Sequence, residues 1–170
     1  MRAVIQRVSH ASVQIRGVEG IDPNEKRTIN DGFLVLLGVC DEDTSEDVDW
    51  LVKKIAGLRV FDDEAHVMNR SIMDMCVFDE NGVATGETKV GECMVVSQFT
   101  LYASYKKGNR PSWFRAGSHE HSIPLYEEFC QKLGDITGKA VTTGSFGADM
   151  KVELLNDGPV TICMDTKNKE

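Results

Sequence analysis

The sequence predicts an α+β protein built mainly from antiparallel β-sheet. Apolar and polar side chains alternate in residues 1–8 and 11–16, and three more short strands are predicted in the C-terminal part of the chain. Two continuous apolar runs, 32–40 and 93–96, have the composition of buried strands. Only two segments have helical periodicity, and the strands outnumber them without alternating regularly with them, which favours the α+β class.

The N-terminal part is predicted to contain three strands. Residues 1–8 and 11–16 alternate as strands do, with a turn predicted at 9–10. The polar segment 17–31 is predicted to be a hairpin loop. The apolar segment 32–40, GFLVLLGVC, follows and is predicted to be a strand covered on both faces.

The two helices are predicted from apolar side chains that recur every three or four residues. The first opens at Thr44, which has the spacing of a capping box with Asp47, and it ends near Gly57. The second covers roughly 118–133. Pro124 is compatible with that helix only in its first turn or at a kink.

Short strands are predicted in the remaining segments. Residues 59–61 suit a short strand, and 75–86 suits a hairpin with an Asn-Gly turn, which is interpreted as an insertion without an assigned role. Three strands, at about 139–143, 150–155 and 159–165, complete the chain.

Composition indicates one compact domain over residues 1–170, because 170 residues with 41% apolar side chains suffice for a real core. No apolar run approaches the length of about 18 residues that a membrane span needs. Arg2, Gln6 and Arg7 interrupt any signal-peptide pattern. The five cysteines are odd in number and contain no C-x-x-C pair, which favours free thiols and a cytoplasmic location.

The net charge of −8 is unusual for a protein that handles nucleic acid, because phosphates are normally contacted by Lys and Arg. Acidic residues concentrate in 41–49 and 62–64. Basic residues cluster in the predicted loop 105–115, as Lys106, Lys107, Arg110 and Arg115. The sequence therefore concentrates its local positive charge in one predicted loop.

The common catalytic motifs are missing from the sequence. It contains no G-x-S-x-G elbow, no H-E-x-x-H pair and no Walker-type loop. His119 and His121 lie two residues apart at a helix start and would point in different directions, so no metal site and no cofactor are predicted. Thr100 is a candidate nucleophile, although no evident general base lies near it in sequence.

The most informative stretch is 95–102, VVSQFTLY, in which an apolar strand changes into short polar residues. A strand that ends in this way presents backbone N–H groups and small polar side chains to a ligand. Two further stretches, 144–150 with the run FGADM and 156–162 with NDGPVT, occur with it in a fixed order. Together with 2–8, RAVIQRV, they resemble the D-aminoacyl-tRNA deacylase family over nearly the whole chain.

This resemblance implies a fold and an activity. The fold would be a deacylase-type ββα sandwich, with two sheets in a barrel-like arrangement and two helices packed on one side. The activity would be hydrolysis of the ester of D-aminoacyl-tRNA, and of mischarged glycyl-tRNA, without a cofactor. The protein would be a homodimer whose active site lies at the interface and receives the aminoacylated acceptor end of tRNA.

The resemblance also implies roles for individual residues. Ser97, Gln98, Phe99 and Thr100 would form the catalytic cradle, with the N–H groups of Phe99 and Thr100 as oxyanion donors. Gly158 and Pro159 would form a cis Gly-Pro gate that excludes L side chains, and Arg7 would support this gate. The pocket would be lined by Phe146, Gly147, Ala148 and Met150 (beside Asp149). The tRNA would be contacted by Lys106, Lys107 and Arg110.

Two alternatives stay open at this point. The same substrate could be cleaved through an acyl-enzyme on Thr100. The chain could also be a non-catalytic RNA-binding module that keeps an editing-like fold, against which the intact SQFTLY and GPVT runs argue.

Overall fold

The computed structural model describes residues 1–106 and 108–169, and these residues confirm the α+β class. The helices are α1 (Ser45–Ala56) and α2 (His119–Thr137), and a 3-10 helix covers Phe99–Tyr102. The strands, numbered in chain order, are β1 (Arg2–Arg16), β2 (Lys26–Ile29), β3 (Gly32–Gly38), β4 (Phe61–Asp62), β5 (Met68–Arg70), β6 (Met75–Phe78), β7 (Ala84–Lys89), β8 (Glu92–Ser97), β9 (Thr142–Thr143) and β10 (Asp149–Asp165).

Six strands form one sheet that curls into a nearly closed, barrel-like shape. Its order is β10-β1-β3-β8-β9, and β2 pairs with β1. β1 is antiparallel to β10, β2 and β3, whereas β8 is parallel to both β3 and β9. The hairpins β4–β5 and β6–β7 form two small separate sheets, and the second of them confirms the hairpin predicted at 75–86. Most pairings are therefore antiparallel, as predicted.

The turn predicted at 9–10 is wrong, because β1 is one continuous strand of 15 residues. β1 changes partners at this point: its pairing with β3 ends at Val8, and its pairing with β2 begins at Ala11. Its register with β10 also shifts on both sides of Val8. Such irregularities bend a strand without ending it. The segment 17–31 likewise contains β2, so it is not only a loop.

The two C-terminal strands predicted at 150–155 and 159–165 are a single strand, β10. It continues through Gly158 and Pro159, which lie opposite the irregular part of β1 near Arg7. β10 is at the edge of the six-stranded sheet, where a proline costs no ladder hydrogen bond if its nitrogen faces outward. β9 is shorter than predicted and covers two residues.

Both helices lie where the sequence predicts them. Thr44 and Asp47 form the expected capping box at the start of α1, and Gly57 follows its end. α2 continues one turn beyond the predicted end, and Gly138 stops it with φ +70°. Pro124 lies beyond the first turn of α2, on its exposed side, although the sequence predicts a proline only in the first turn or at a kink. Neither helix of the described residues is both long and apolar enough to cross a membrane.

Two apolar clusters pack against opposite faces of β3. Phe33 of β3 belongs to the cluster under the helices, which also contains Leu51 of α1 and Phe129 of α2. Leu34 belongs to the cluster inside the curled sheet, with Met94 of β8. β3 is thus covered on both faces, as its continuous apolar run predicts.

We expect Phe129→Ala to lower the free energy of unfolding by about 3–5 kcal/mol, because it deletes a fully buried ring from the core between α2 and the sheet. Ile136→Ala is the matched control, since Ile136 is on the same helix but exposed, and we expect it to cost less than about 1 kcal/mol. Urea unfolding measured by circular dichroism compares the two variants. Equal losses would contradict the assignment of Phe129 to the core.

Candidate active site

A cavity of about 480 Å³ lies where β8 ends, beside the start of α2 and the segment that leads into β10. Aliphatic and aromatic side chains form most of its wall, and a few polar groups enter it. Its lining consists of Leu37, Val39, Val96, Ser97, Gln98, Phe99, Trp113, Ala116, Gly117, His119, Ser122, Phe146, Gly147, Ala148, Asp149, Met150 and Val152. An apolar cavity with few convergent polar groups is the usual form of a small-ligand site.

The stretch 97–100 lies at this cavity because β8 stops at Ser97 and the chain turns sharply. The N–H of Gln98 donates to the carbonyl of Leu37 on β3 at 2.7 Å, after which the 3-10 helix begins. Gly38 allows this close approach, since a Cβ at that position would come within 3.0 Å of the carbonyl oxygen of Gln98. Ser97, Gln98 and Phe99 line the cavity, and Thr100 follows directly.

The backbone N–H groups of Phe99 and Thr100 have no hydrogen-bond acceptor within residues 1–106 and 108–169. They begin the 3-10 helix, where the first N–H groups have no intrahelical partner. Donors of this kind are available to an oxygen atom of a ligand.

The Thr100 hydroxyl accepts a hydrogen bond from the side-chain amide of Gln98. In the part of the chain that the structure describes, no carboxylate or imidazole is hydrogen-bonded to Thr100. An amide cannot remove the hydroxyl proton, so this arrangement holds Thr100 in place without activating it.

The opposite wall comprises Phe146, Gly147, Ala148 and Met150, the four residues predicted to line the pocket, together with Asp149. The ring of Phe146 meets His119 edge-on at 5.7 Å and Tyr126 at 5.5 Å between centroids. The hydroxyl of Tyr126 donates to the carbonyl of Val95 on β8 at 2.8 Å, and burial raises its pKa well above the usual range. Side chains of α2 thus contact both walls of the cavity, Phe146 on one side and β8 on the other.

Gly158 and Pro159 are joined by a cis peptide bond, as the resemblance implies, but they do not line this cavity. Arg7 lies beside them and is buried, with 7% of its surface exposed. Its Nε donates to the carbonyl oxygen of Asp157 at 3.2 Å and lies 3.0 Å from that residue's carboxylate. Its Nη1 donates to the carbonyl of Val60 at 2.6 Å and to the Asp62 carboxylate at 3.2 Å. The structure brings these three predicted gate residues together, but away from the cavity of their own chain.

The predicted tRNA-binding residues Lys106 and Arg110 are exposed in the loop between Ser104 and Ser112. Lys107 lies outside the described residues. The structure therefore places this basic loop close to Trp113, one of the cavity wall residues.

Three residues that shape the site were not predicted from the sequence. Two of them, His119 and Trp113, line the cavity. The ring of His121, by contrast, is hydrogen-bonded to the carbonyl of Asp43 at 3.0 Å, so His119 and His121 point in different directions, as predicted. Arg2 donates to the Leu101 carbonyl at 3.0 Å and to Asp165 at 2.8 Å, and so links the 3-10 helix to β10. Only the position of Trp113 beside the basic loop was a signal in the sequence.

Two of the five cysteines, Cys93 and Cys130, do not suit nucleophilic chemistry. Burial raises the pKa of Cys93 and of Cys130 to about 12, so both thiols are protonated at neutral pH.

The comparison with protein families decides the family. The model of the family described as D-Tyr-tRNA(Tyr) deacylase matches residues 4–165. The chain belongs to this family. The resemblance noted in the SQFTLY, FGADM and NDGPVT runs is therefore confirmed.

Relatives and solved structures agree with this membership. Proteins named D-aminoacyl-tRNA deacylase from Phocaeicola vulgatus and Flavobacterium johnsoniae are 59% and 51% identical to the chain, with full coverage of both sequences. A structure described as c-Myc DNA Unwinding Element Binding Protein has 36% identity and a TM-score of 0.76, covering 97% of this chain and 98% of that one. A probable eukaryotic D-amino acid tRNA deacylase shares the fold at 15% identity, with a TM-score of 0.68 and coverage of 96% and 97%.

We expect Arg7→Lys to lower the free energy of unfolding by about 1–3 kcal/mol, because one ammonium cannot replace a guanidinium that bonds two carbonyls and two carboxylates. Arg59→Lys is the control, because among the described residues the exposed side chain of Arg59 is hydrogen-bonded only to Asn69, and we expect this variant to cost less than about 1 kcal/mol. Thermal unfolding by calorimetry provides the comparison. A stability loss no larger than that of the control would mean that the contacts of Arg7 do not stabilise this region.

Proposed function

We propose that this protein hydrolyses the ester bond between a D-amino acid and the 3′ end of tRNA. The observation that carries the proposal is the full-length similarity to proteins named D-aminoacyl-tRNA deacylase, at 51–59% identity in the two cited relatives. The cavity at Ser97–Phe99 supports it, because it combines apolar walls with free backbone donors. The proposed reaction yields free D-amino acid and tRNA.

The proposed mechanism depends on position and electrostatics. The ester carbonyl would lie against the N–H groups of Phe99 and Thr100, which stabilise the oxyanion that forms when water attacks. Ser97 and Gln98 hold this cradle in place. The vicinal 2′-OH of the terminal ribose adjoins the scissile carbonyl and assists the departure of the ribose oxygen. One oxyanion donor typically contributes a factor of about 10²–10³ in rate, so backbone donors alone supply a substantial part of catalysis.

The proposed chiral gate is Gly158–Pro159 of a second copy of the chain. Two observations support a homodimer with its active site at the interface. The gate lies away from the cavity of its own chain, and β10, which carries it, has an unpaired edge along the described sheet. The gate would exclude an L side chain by steric overlap, with its carbonyls facing the substrate amino group. Glycine has no side chain to exclude, so glycyl-tRNA would also be hydrolysed.

Arg7 has the proposed role of holding the gate. It bonds the carbonyl of Asp157, directly before Gly158, and a Cβ added at Gly158 would come within 3.2 Å of its Nη2. Gly158 also has φ +121°, a conformation that favours glycine. The gate backbone and the arginine are therefore matched to each other.

The acceptor end of tRNA is the proposed partner of the basic loop. Lys106, Lys107 and Arg110 would contact its phosphates, which suits the local positive charge of an otherwise acidic protein. We also propose a cytoplasmic location, because the cysteines Cys40, Cys76, Cys93, Cys130 and Cys163 are free.

The test of this function compares D-tyrosyl-tRNA, L-tyrosyl-tRNA and glycyl-tRNA. We expect rapid release of D-tyrosine and glycine but at least a 100-fold slower release of L-tyrosine, as an estimate of the order of magnitude of a steric clash. Release of labelled amino acid gives the rates. Pro159→Gly, which removes the ring of the gate, should increase the rate on L-tyrosyl-tRNA. Equal wild-type rates on the D and L substrates would overturn the gate.

Thr100→Ala separates backbone catalysis from an acyl-enzyme. We expect it to retain activity within about 10-fold of wild type, because its N–H remains while only the hydroxyl is lost. Rapid-quench single turnover should detect no covalent aminoacyl adduct, and substrate ending in 2′-deoxyadenosine should be cleaved more slowly. A folded but inactive Thr100→Ala, together with a trapped adduct on the wild type, would establish the acyl-enzyme instead. A folded wild type that cleaves neither D-tyrosyl-tRNA nor glycyl-tRNA would indicate that the chain is the non-catalytic RNA-binding module.

A further inference from the structure

The exposed aromatic side chains of the described residues are concentrated beside the cavity. Phe99, Tyr105, Trp113 and Phe114 are 54%, 76%, 39% and 78% exposed. The other large exposed hydrophobic side chains of the described residues are aliphatic or methionine, and they belong to other segments of the chain. Exposed rings that cluster in one place mark a binding surface more reliably than single exposed apolar residues do.

These rings are attached to a well-anchored loop. The backbone of Ser104 pairs with that of Ser112 through two hydrogen bonds of 2.9 Å, which close the loop between them. Arg115 donates to the carbonyl of Ala103 at 3.2 Å, and the ring of Trp113 meets that of Phe99 edge-on at 5.3 Å. The base of the loop is therefore ordered, and Tyr105 and Phe114 are presented from it.

The same loop is positively charged. Lys106, Arg110 and Arg115 are exposed, and none of them forms an ion pair with another described residue. The protein as a whole has a charge of −8, so unneutralised cations here attract an anionic partner to this position. Alternating aromatic and basic side chains are the composition of surfaces that bind single-stranded nucleic acid.

We propose that this aromatic rim, formed by Tyr105, Phe114 and the cations Lys106, Arg110 and Arg115, binds the unpaired nucleotides that precede the 3′-terminal adenosine of the substrate. The bases stack on Tyr105 and Phe114, and the phosphates contact the cations. This inference rests on the proposed function. Phe114 and Arg115 lie between the wall residues Trp113 and Ala116 in the chain, so they are next to the cavity into which the last ribose would enter.

The double variant Tyr105→Ala/Phe114→Ala tests the rim. We expect kcat/KM for D-tyrosyl-tRNA to fall on the order of 10-fold or more, mainly through KM, because each lost base stack removes substantial binding. Hydrolysis of D-tyrosyl-adenosine, which lacks the preceding nucleotides, should change less than 2-fold, as a rough bound on an uninvolved contact. Tyr105→Phe/Phe114→Tyr keeps the rings and should behave as wild type. Val83→Ala, at an exposed hydrophobic residue on the turn between β6 and β7, is the control for general surface effects.

A direct binding measurement accompanies the kinetics. Wild type should bind the labelled oligoribonucleotide ACCA in fluorescence anisotropy, and the double variant should bind it on the order of 10-fold more weakly. Equal affinity of both proteins, absence of binding by wild type, or a shift of the double variant to a smaller oligomer in sedimentation would overturn the proposal. If wild type cleaves no D-aminoacyl substrate, the proposed function fails. The difference in ACCA affinity between wild type and the double variant then tests nucleotide binding by the rim independently of activity.

Discussion

The parallel pairing of β3 with β8 is the interaction on which the candidate site depends. It runs from Gly32 opposite Glu92 to Leu37 opposite Ser97, with a core on each side. Because both strands are covered on both faces, water cannot compete for their ladder hydrogen bonds, and the end of β8 is held firmly. The final bond of this region, from the N–H of Gln98 to the carbonyl of Leu37, turns the chain into the 3-10 helix. Within the part of the chain that the structure describes, that turn leaves the N–H groups of Phe99 and Thr100 without an acceptor.

Other elements secure the same point from different directions. Tyr126 of α2 bonds the carbonyl of Val95, and Arg2 of β1 bonds the carbonyl of Leu101. These bonds join main-chain carbonyls close to the cradle to a helix and to the first strand. A site that works through backbone donors needs such support, because an oxyanion donor contributes only while its direction is fixed. In the proposed mechanism, the polar groups near the cavity would position the backbone and would not act as acids or bases.

The proposed gate, Gly158 and Pro159, is held by a side chain of the neighbouring strand. β1 and β10 pair over almost their full lengths, but the pairing is interrupted near Arg7, and there Gly158 and Pro159 leave the regular ladder. Arg7 compensates for this interruption by bonding the carbonyls of Asp157 and Val60. One chain therefore contains a cavity and a proposed gate that do not meet, and the proposed dimer would bring them together. In that arrangement, chiral selection and catalysis would come from different subunits.

The sequence by itself determined the features that depend on near neighbours. The capping box of Thr44 and Asp47, the doubly buried strand at 32–40 and the polar end of the strand at Ser97 are local patterns, and the structure contains all of them. Only the tertiary structure decided that β1 and β10 each continue through an apparent break, because their continuity depends on partners distant in sequence. It also decided that His119, Trp113 and Arg2 approach the site. Their positions depend on how α2, the loop between Ser104 and Ser112, and β1 pack against the sheet. Packing between segments that are distant in sequence does not produce a periodic pattern in the sequence.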